Sequence, residues 1–463
     1  MFLRSQILYI LALSKRKVKH ENTSNSIWVL HVLIIGIIKK LPIKKSKMET
    51  LKSLIYVSKG NLPSKMAHSI QTTKMAQAFS QKVENFELVT SGDIFSVLKG
   101  IDSEFQAWYG LHHKFKLVRL PLHIKIEYPF PQNYENFIFY KLAILYTCFK
   151  APCLIYTRSF PVVEILLRMC IPVLWEWHEP VSEKLSYTCK KLFNNKNLLG
   201  VVTTLPQLAE NYLNHGLLPE KTLVAPNAVD IKNFLPYQTK SLARQKLSLQ
   251  QDSQIILYSG HLYDYKGIPT ILKTASLMPE CEFVLVGGWI DDINRVKATC
   301  QQMNLQNIQF FGHVPQSELA LYLYAADILI LPTSKYWELA EATCPLKLFD
   351  YMVAKRPIVA SALPTIATVL RHRENALLAE PDEPLSFKLA IETLLNNPLL
   401  AKTIADCAFQ EVHNFTWDGR AERVLQFATE RLQKANKSDI SYMRNVLKYI
   451  TLKTISPHKL VEL

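Results

Sequence analysis

Short apolar runs of β-type composition alternate with helical stretches along most of this 463-residue chain, and that rhythm constrains the fold more than any other feature. Runs at 53–57, 86–90, 115–119, 153–157, 173–177, 200–203 and 222–225 form one set, and runs at 254–258, 282–286, 307–311, 327–331, 357–360 and 376–379 form a second. Helical patterns fall between them at 64–81, 268–276, 290–302, 316–326 and 345–353. In the first of these, Met66, Ile70, Met75, Ala78 and Phe79 lie along one stripe. Near-continuous apolar strands separated by helices indicate parallel sheets covered on both faces. Two such sets predict an α/β chain of two doubly wound domains, with the join near 226–250 and a final helix at 417–432 after both sheets are complete. The length agrees, since a single core rarely serves so many residues.

Composition narrows the function. With 49% hydrophobic and 20% charged residues the chain is globular. The net charge of +15 is concentrated at the ends. Residues 1–47 carry ten Lys/Arg against Glu21 alone, and 433–463 add six basic residues against two acidic ones, so the span between them is close to neutral. A nucleic-acid-binding domain would carry its basic patch on the folded body, so nucleic acid is not an expected partner. Basic ends suit peripheral contact with an anionic membrane at its inner face. The apolar run 28–38 is too short to span a bilayer, and the expectation is a protein that starts at Met48, with residues 1–47 either untranslated or touching membrane. Eight scattered cysteines without C-x-x-C spacing read as free thiols in a reducing, cytoplasmic compartment.

In open α/β sheets ligands bind beyond the carboxyl ends of the strands. The run 254–258 leads into Gly260-His261 and then Lys266-Gly267, where glycines let the backbone approach an anion and the lysine supplies charge. The next runs end at Gly287-Gly288, at Gly312-His313-Val314-Pro315 and at Pro332-Thr333-Ser334. Further on, Cys344-Pro345-Leu346-Lys347-Leu348-Phe349-Asp350 puts a lysine and a carboxylate on one face near a helix start, where free N–H groups favour phosphate. Each element has a plain structural reading too: Lys266 as a solvated lysine, Asp350 as the ion-pair partner of Lys347, His178 as a core histidine.

Taken together, Gly260…Lys266-Gly267, Gly287-Gly288, Phe311-Gly312-His313-Val314-Pro315 and Cys344–Met352 resemble the donor half of the retaining, GT-B-fold glycosyltransferases of family 4, also called glycosyl transferases group 1. The likeness covers about 250–430. Leu62–Ser69, Trp175-Glu176-Trp177-His178-Glu179 and Val224–Asp230 extend it into the first half. It implies GT-B architecture, two Rossmann-like domains facing a cleft with a C-terminal helix crossing back to the first. The corresponding divisions are an extension 1–47, an acceptor domain 48–228, a donor domain 229–416, the crossing helix 417–435 and a basic tail 436–463.

The resemblance also implies roles. Lys266 and His178 would be catalytic. Gly260, His261, Lys266, Gly287, Val314, Glu341, Thr343, Pro345, Leu346, Lys347 and Asp350 would bind a nucleotide-diphosphate sugar, with Asp350 on the ribose. Ser64, Lys65 and His68 would meet a lipid-linked, polysaccharide or other glycan acceptor. Where the family has a cation, a glutamate and a second glutamate, this chain has His261, Ala342 and Asp350. No cofactor and no metal are expected, and no two aspartates are spaced i, i+2. A non-catalytic nucleotide-sugar-binding or assembly member, and a nucleotide-sugar epimerase of the same fold, stand as alternatives.

Overall fold

The computed structural model describes residues 51–93, 100–123, 132–150 and 153–435. The basic ends, the apolar run 28–38 and the start at Met48 therefore lie outside the described residues. Two sheets form, and every strand pair within them is parallel. The first comprises β1 (Ser53–Asn61), β2 (Asn85–Asp93), β3 (Lys116–His123), β4 (Leu154–Thr157), β5 (Val173–Glu176), β6 (Leu198–Thr203) and β7 (Thr222–Val224), in the order β3-β2-β1-β4-β5-β6-β7. The second comprises β8 (Gln254–Ser259), β9 (Cys281–Val286), β10 (Ile308–Phe311), β11 (Ile328–Leu331), β12 (Ile358–Ser361) and β13 (Leu377–Ala379), in the order β10-β9-β8-β11-β12-β13.

Both sheets reverse their winding direction once, between β1 and β4 and between β8 and β11. Such switch points open a crevice at the carboxyl ends of the strands. The strands are apolar throughout because helices cover both faces; β4, β5, β11 and β12 are buried at every residue. In the first domain Trp175 stacks on Trp177 at 4.4 Å and Trp177 on Tyr212 at 4.9 Å. This aromatic slab carries β5 and hence the loop beyond it.

The chain crosses between the domains at two adjacent points. Val229 N donates to Phe415 O (2.9 Å) and Trp417 N to Val229 O (3.4 Å), so the crossings are tied to each other. Helix Trp417–Ala435 then returns to the first domain, burying Trp417, Ala421, Val424, Ala428 and Leu432, one helical stripe, in that domain's core. The segment read as a polar join, 226–250, is partly ordered: Lys240–Leu247 is a helix capped by Thr239. Its buried Arg244 donates to Ala325 O (2.9 Å) and Asp327 (2.6 Å), which docks it on the second domain, and these partners lie too far along the chain for local composition to reveal. Among the described residues no helix is long and apolar enough to cross a membrane.

Candidate active site at the interdomain cleft

The loops at the carboxyl ends of both sheets enclose a cavity of about 330 Å³. Its second-domain wall comes from the turns after β8, β9 and β10 and from the segment 342–347 that opens helix Leu346–Val353. Its first-domain wall comes from the start of helix Ala67–Ser80 and from Arg158, His178 and Thr204, which follow β4, β5 and β6. Two contacts span the mouth. The rings of Trp108 and His313 stack at 4.8 Å, and Lys65 Nζ lies 5.0 Å from the centroid of Trp289.

The second-domain wall is cationic. Lys266 Nζ sits 3.8 Å from the Trp337 ring centroid, and burial pulls its pKa down to about 8. Lys347 Nζ sits 3.8 Å from the Tyr258 ring centroid; burial first, and the neighbouring Lys266 next, hold its pKa well below the usual lysine value. Neither ammonium has a carboxylate within ion-pair distance among the described residues, so Lys347 pairs with an aromatic face and not with Asp350. Gly260 permits this arrangement: its φ is +135°, and a Cβ there would lie 2.4 Å from Lys347 Nζ. The Asp350 carboxyl is pushed up to about 7 by burial, against the pull of Lys74 and Lys347. His261 is sandwiched between Tyr263 (5.1 Å) and Trp289 (5.7 Å), and its buried Nδ1 has no partner among the described residues.

A hydrogen-bond network fixes the first-domain wall. Glu176, at the end of β5, is fully buried and meets Arg420 of the crossing helix at 2.7 Å. Burial alone would raise its pKa; Arg420, His178 and Arg158 override that and hold it well below the carboxylate range. Glu176 also accepts from His178 Nε2 (2.9 Å), Gln71 Nε2 (3.0 Å) and Tyr156. Arg158 donates to His178 Nδ1 (3.0 Å) and to Gln71 Oε1. His178 is thus held neutral, its pKa pushed down to about 4 by burial and then by Arg158, with Nε2 carrying the proton. Gln71 Nε2 donates to Asn227 Oδ1 (2.9 Å), and Asn227 Nδ2 to Cys344 O (2.7 Å), which links this network to the loop on the opposite wall.

The cavity gathers His178, Lys266, Gly260, His261, Gly287, Val314, Thr343, Pro345, Leu346, Lys347, Asp350, Lys65 and His68. Ser64 and Glu341 stand outside its wall. The Ser64 backbone is pinned to Tyr109 (N to Oη, 2.7 Å), and its hydroxyl turns to Met66 N (3.2 Å). Glu341 points outward because its neighbours Ala340 and Ala342 take the buried side of their turn. Gln71, Arg158, Glu176 and Arg420 were not marked as site residues by the sequence. Arg158 carried a usable signal, a charged residue directly after a strand; Arg420 carried none, since Glu176 lies 244 positions away.

Two Rossmann-like domains meeting over such a cavity define a GT-B protein, and the fold of this chain is GT-B. Residues 239–410, which contain the whole second sheet, match the model of the family described as Glycosyl transferases group 1. The D-inositol 3-phosphate glycosyltransferase of Thermobispora bispora is 22% identical over 233 residues, 48% of this chain and 53% of that protein. The chain thus matches about half the length of such curated relatives. Sucrose-phosphate synthase from Thermosynechococcus elongatus superposes with a TM-score of 0.66 over 82% of this chain and 98% of its own, at 21% identity. Anabaena HepE in complex with UDP gives 0.64 over 82% and 100%, at 14% identity. At these identities the likeness is one of fold.

Proposed function

We propose that the protein is a glycosyltransferase that moves a sugar from a nucleoside-diphosphate sugar to a glycan or lipid-linked acceptor, with retention at the anomeric carbon and without a metal. The observation that carries this reading is the pair Lys266 and Lys347, two desolvated ammonium groups in one cavity without a carboxylate partner among the described residues. Desolvated charge is costly unless a counter-ion compensates it, and a diphosphate does so. The uncapped N-terminus of helix Leu346–Val353 adds N–H donors at the same wall. Asp350, with a pKa raised to about 7, is a suitable acceptor for a ribose hydroxyl.

In the proposed reaction the bond between the anomeric carbon and the β-phosphate oxygen breaks as the acceptor oxygen bonds to that carbon on the same face. The acceptor proton passes to the departing phosphate, leaving nucleoside diphosphate. The two lysines and backbone N–H groups stabilise the charge that develops on the diphosphate, and no protein nucleophile is required. The reading asks no proton transfer of His178, whose ring nitrogens meet Arg158 and Glu176 and are held by them at the cavity wall. Enclosure by both domains would limit hydrolysis of the donor. Contact with an anionic membrane through the basic ends belongs to the same proposal, as does a cytoplasmic location.

The test is a screen of UDP-, GDP- and ADP-sugars for thermal stabilisation and slow release of nucleoside diphosphate, with UDP first because HepE was solved with it. Stabilisation and release that both disappear in Lys266→Ala support the reading. The buried Ala342 in the cavity wall, where the family carries a glutamate, favours one second reading, a nucleotide-sugar binder; stabilisation without release under any acceptor identifies it.

A further inference from the structure

The first-domain wall carries more positive charge than the proposed donor needs. Arg158 lines the cavity, and among the described residues its guanidinium bonds to Gln71 Oε1 and His178 Nδ1, both neutral acceptors. The nearby carboxylate, Glu176, is already matched by Arg420 at 2.7 Å, so two guanidinium groups share one negative charge. Arg158 has N–H donors left over after two contacts. Lys65 lines the same cavity, half-buried, with an aromatic ring and, among the described residues, no carboxylate within ion-pair distance. Helix Ala67–Ser80, which begins two residues after Lys65, has no side-chain cap on its first N–H groups, and His68 on its first turn also lines the cavity. Asp350, the carboxyl in this cavity, belongs to the opposite wall.

A neutral acceptor would leave Arg158 with only a share of one carboxylate and Lys65 with only an aromatic face, a costly arrangement for charges partly removed from water. We infer that this wall is a second oxyanion site, apart from the one at Lys266 and Lys347, and that it holds a phosphate or carboxylate carried by the acceptor. The inference rests on the transferase reading for the word acceptor. The anion site itself rests on Arg158, Lys65 and the helix start. A guanidinium fork presents paired donors that match either oxyanion. The hydrogen bonds to Gln71 and His178 hold that fork still, so the site is built before the ligand arrives.

The test is calorimetric titration of the full-length protein saturated with UDP. The probes are inorganic phosphate, glycerol 3-phosphate and glucuronate, with glycerol and glucose as neutral controls. The oxyanions are expected to bind and the neutral probes not. Arg158→Met, checked for folding by circular dichroism, should weaken oxyanion binding about tenfold or more and leave UDP affinity nearly unchanged. Lys65→Ala should weaken oxyanion binding less, and it keeps the test open should Arg158→Met fail to fold. No oxyanion binding on the UDP-saturated protein, or binding indifferent to both variants, overturns the inference. So does an Arg158-dependent preference for UDP-glucuronate over UDP-glucose, which would assign the anion to the donor sugar. Phosphate titration of Lys266→Ala without nucleotide separates the two readings: Arg158-dependent binding there upholds the second site even if no nucleotide binds, and its absence overturns it.

Discussion

Lys266 rests on the ring of Trp337 with a pKa near 8, so its charge is conditional in a way that an exposed lysine's is not. A bound diphosphate favours the protonated form. Affinity should therefore be highest below pH 8 and fall as pH rises through it, approaching about tenfold per unit. UDP affinity measured from pH 7 to 9.5 checks the direction, and Lys266→Arg, which stays charged, should flatten the curve. Lys266→Met should cost about 1.5–3 kcal/mol of donor affinity, the usual range for a hydrogen bond to a charged group. Glu176 and Arg420 have fully buried side chains and make a different kind of pair. Glu176→Leu would leave Arg420 uncompensated and should cost about 3–5 kcal/mol in urea unfolding. The sign with pH follows from the depressed pKa of Glu176. Its contribution is present above the ordinary carboxylate pKa and is lost only as pH falls through its own lower value, so mild acid should spare the pair.

At the scale of elements, the turn between β8 and helix Ile268–Ser276 is the most constrained in the site. Gly267 has φ +86°, and a Cβ there would lie 1.7 Å from Pro332 O on the neighbouring loop. Gly267→Ala must therefore move backbone as well as adopt a left-handed conformation that alone costs about 1–2 kcal/mol. It should lower stability by more than that and weaken UDP binding with it, because Lys266 is its neighbour; paired melting and titration curves check both. Glycines of this kind made the loops of the second-domain wall legible in the sequence, as apolar runs made the strands legible: a buried parallel strand such as Ile328–Leu331 cannot avoid being apolar along its whole length. Helices such as Glu183–Phe193 and Pro206–Asn214 were less legible, being short and mixed in composition. The first-domain wall was hardest to read, because Gln71, Glu176, Asn227 and Arg420 meet only after the two crossings bring 176, 227 and 420 together. A polar residue whose partner lies on another element looks like any surface residue until the fold is known.

Across the whole sequence, the excess positive charge falls into two groups. The cavity concentrates Lys65, Arg158, Lys266 and Lys347, enclosed and short of carboxylates. The remaining excess belongs to the ends of the sequence, ten basic residues against one acidic in 1–47 and six against two in 433–463. Enclosed cations respond to a fitted anion and are screened little by salt, whereas exposed ones respond to any anionic surface within a Debye length, about 10 Å at 0.1 M and about 3 Å at 1 M. Full-length protein should thus float with vesicles containing anionic lipid, stay behind with purely zwitterionic ones, and be released as salt approaches 1 M, each basic residue near the surface being worth about 1 kcal/mol at low salt. UDP affinity should change little when anionic vesicles are added, if the two sets of cations, which lie in different parts of the sequence, act separately. Binding to zwitterionic vesicles, or retention in high salt, would count against an electrostatic surface. Competition between vesicles and UDP would instead mean that the cleft itself faces the lipid.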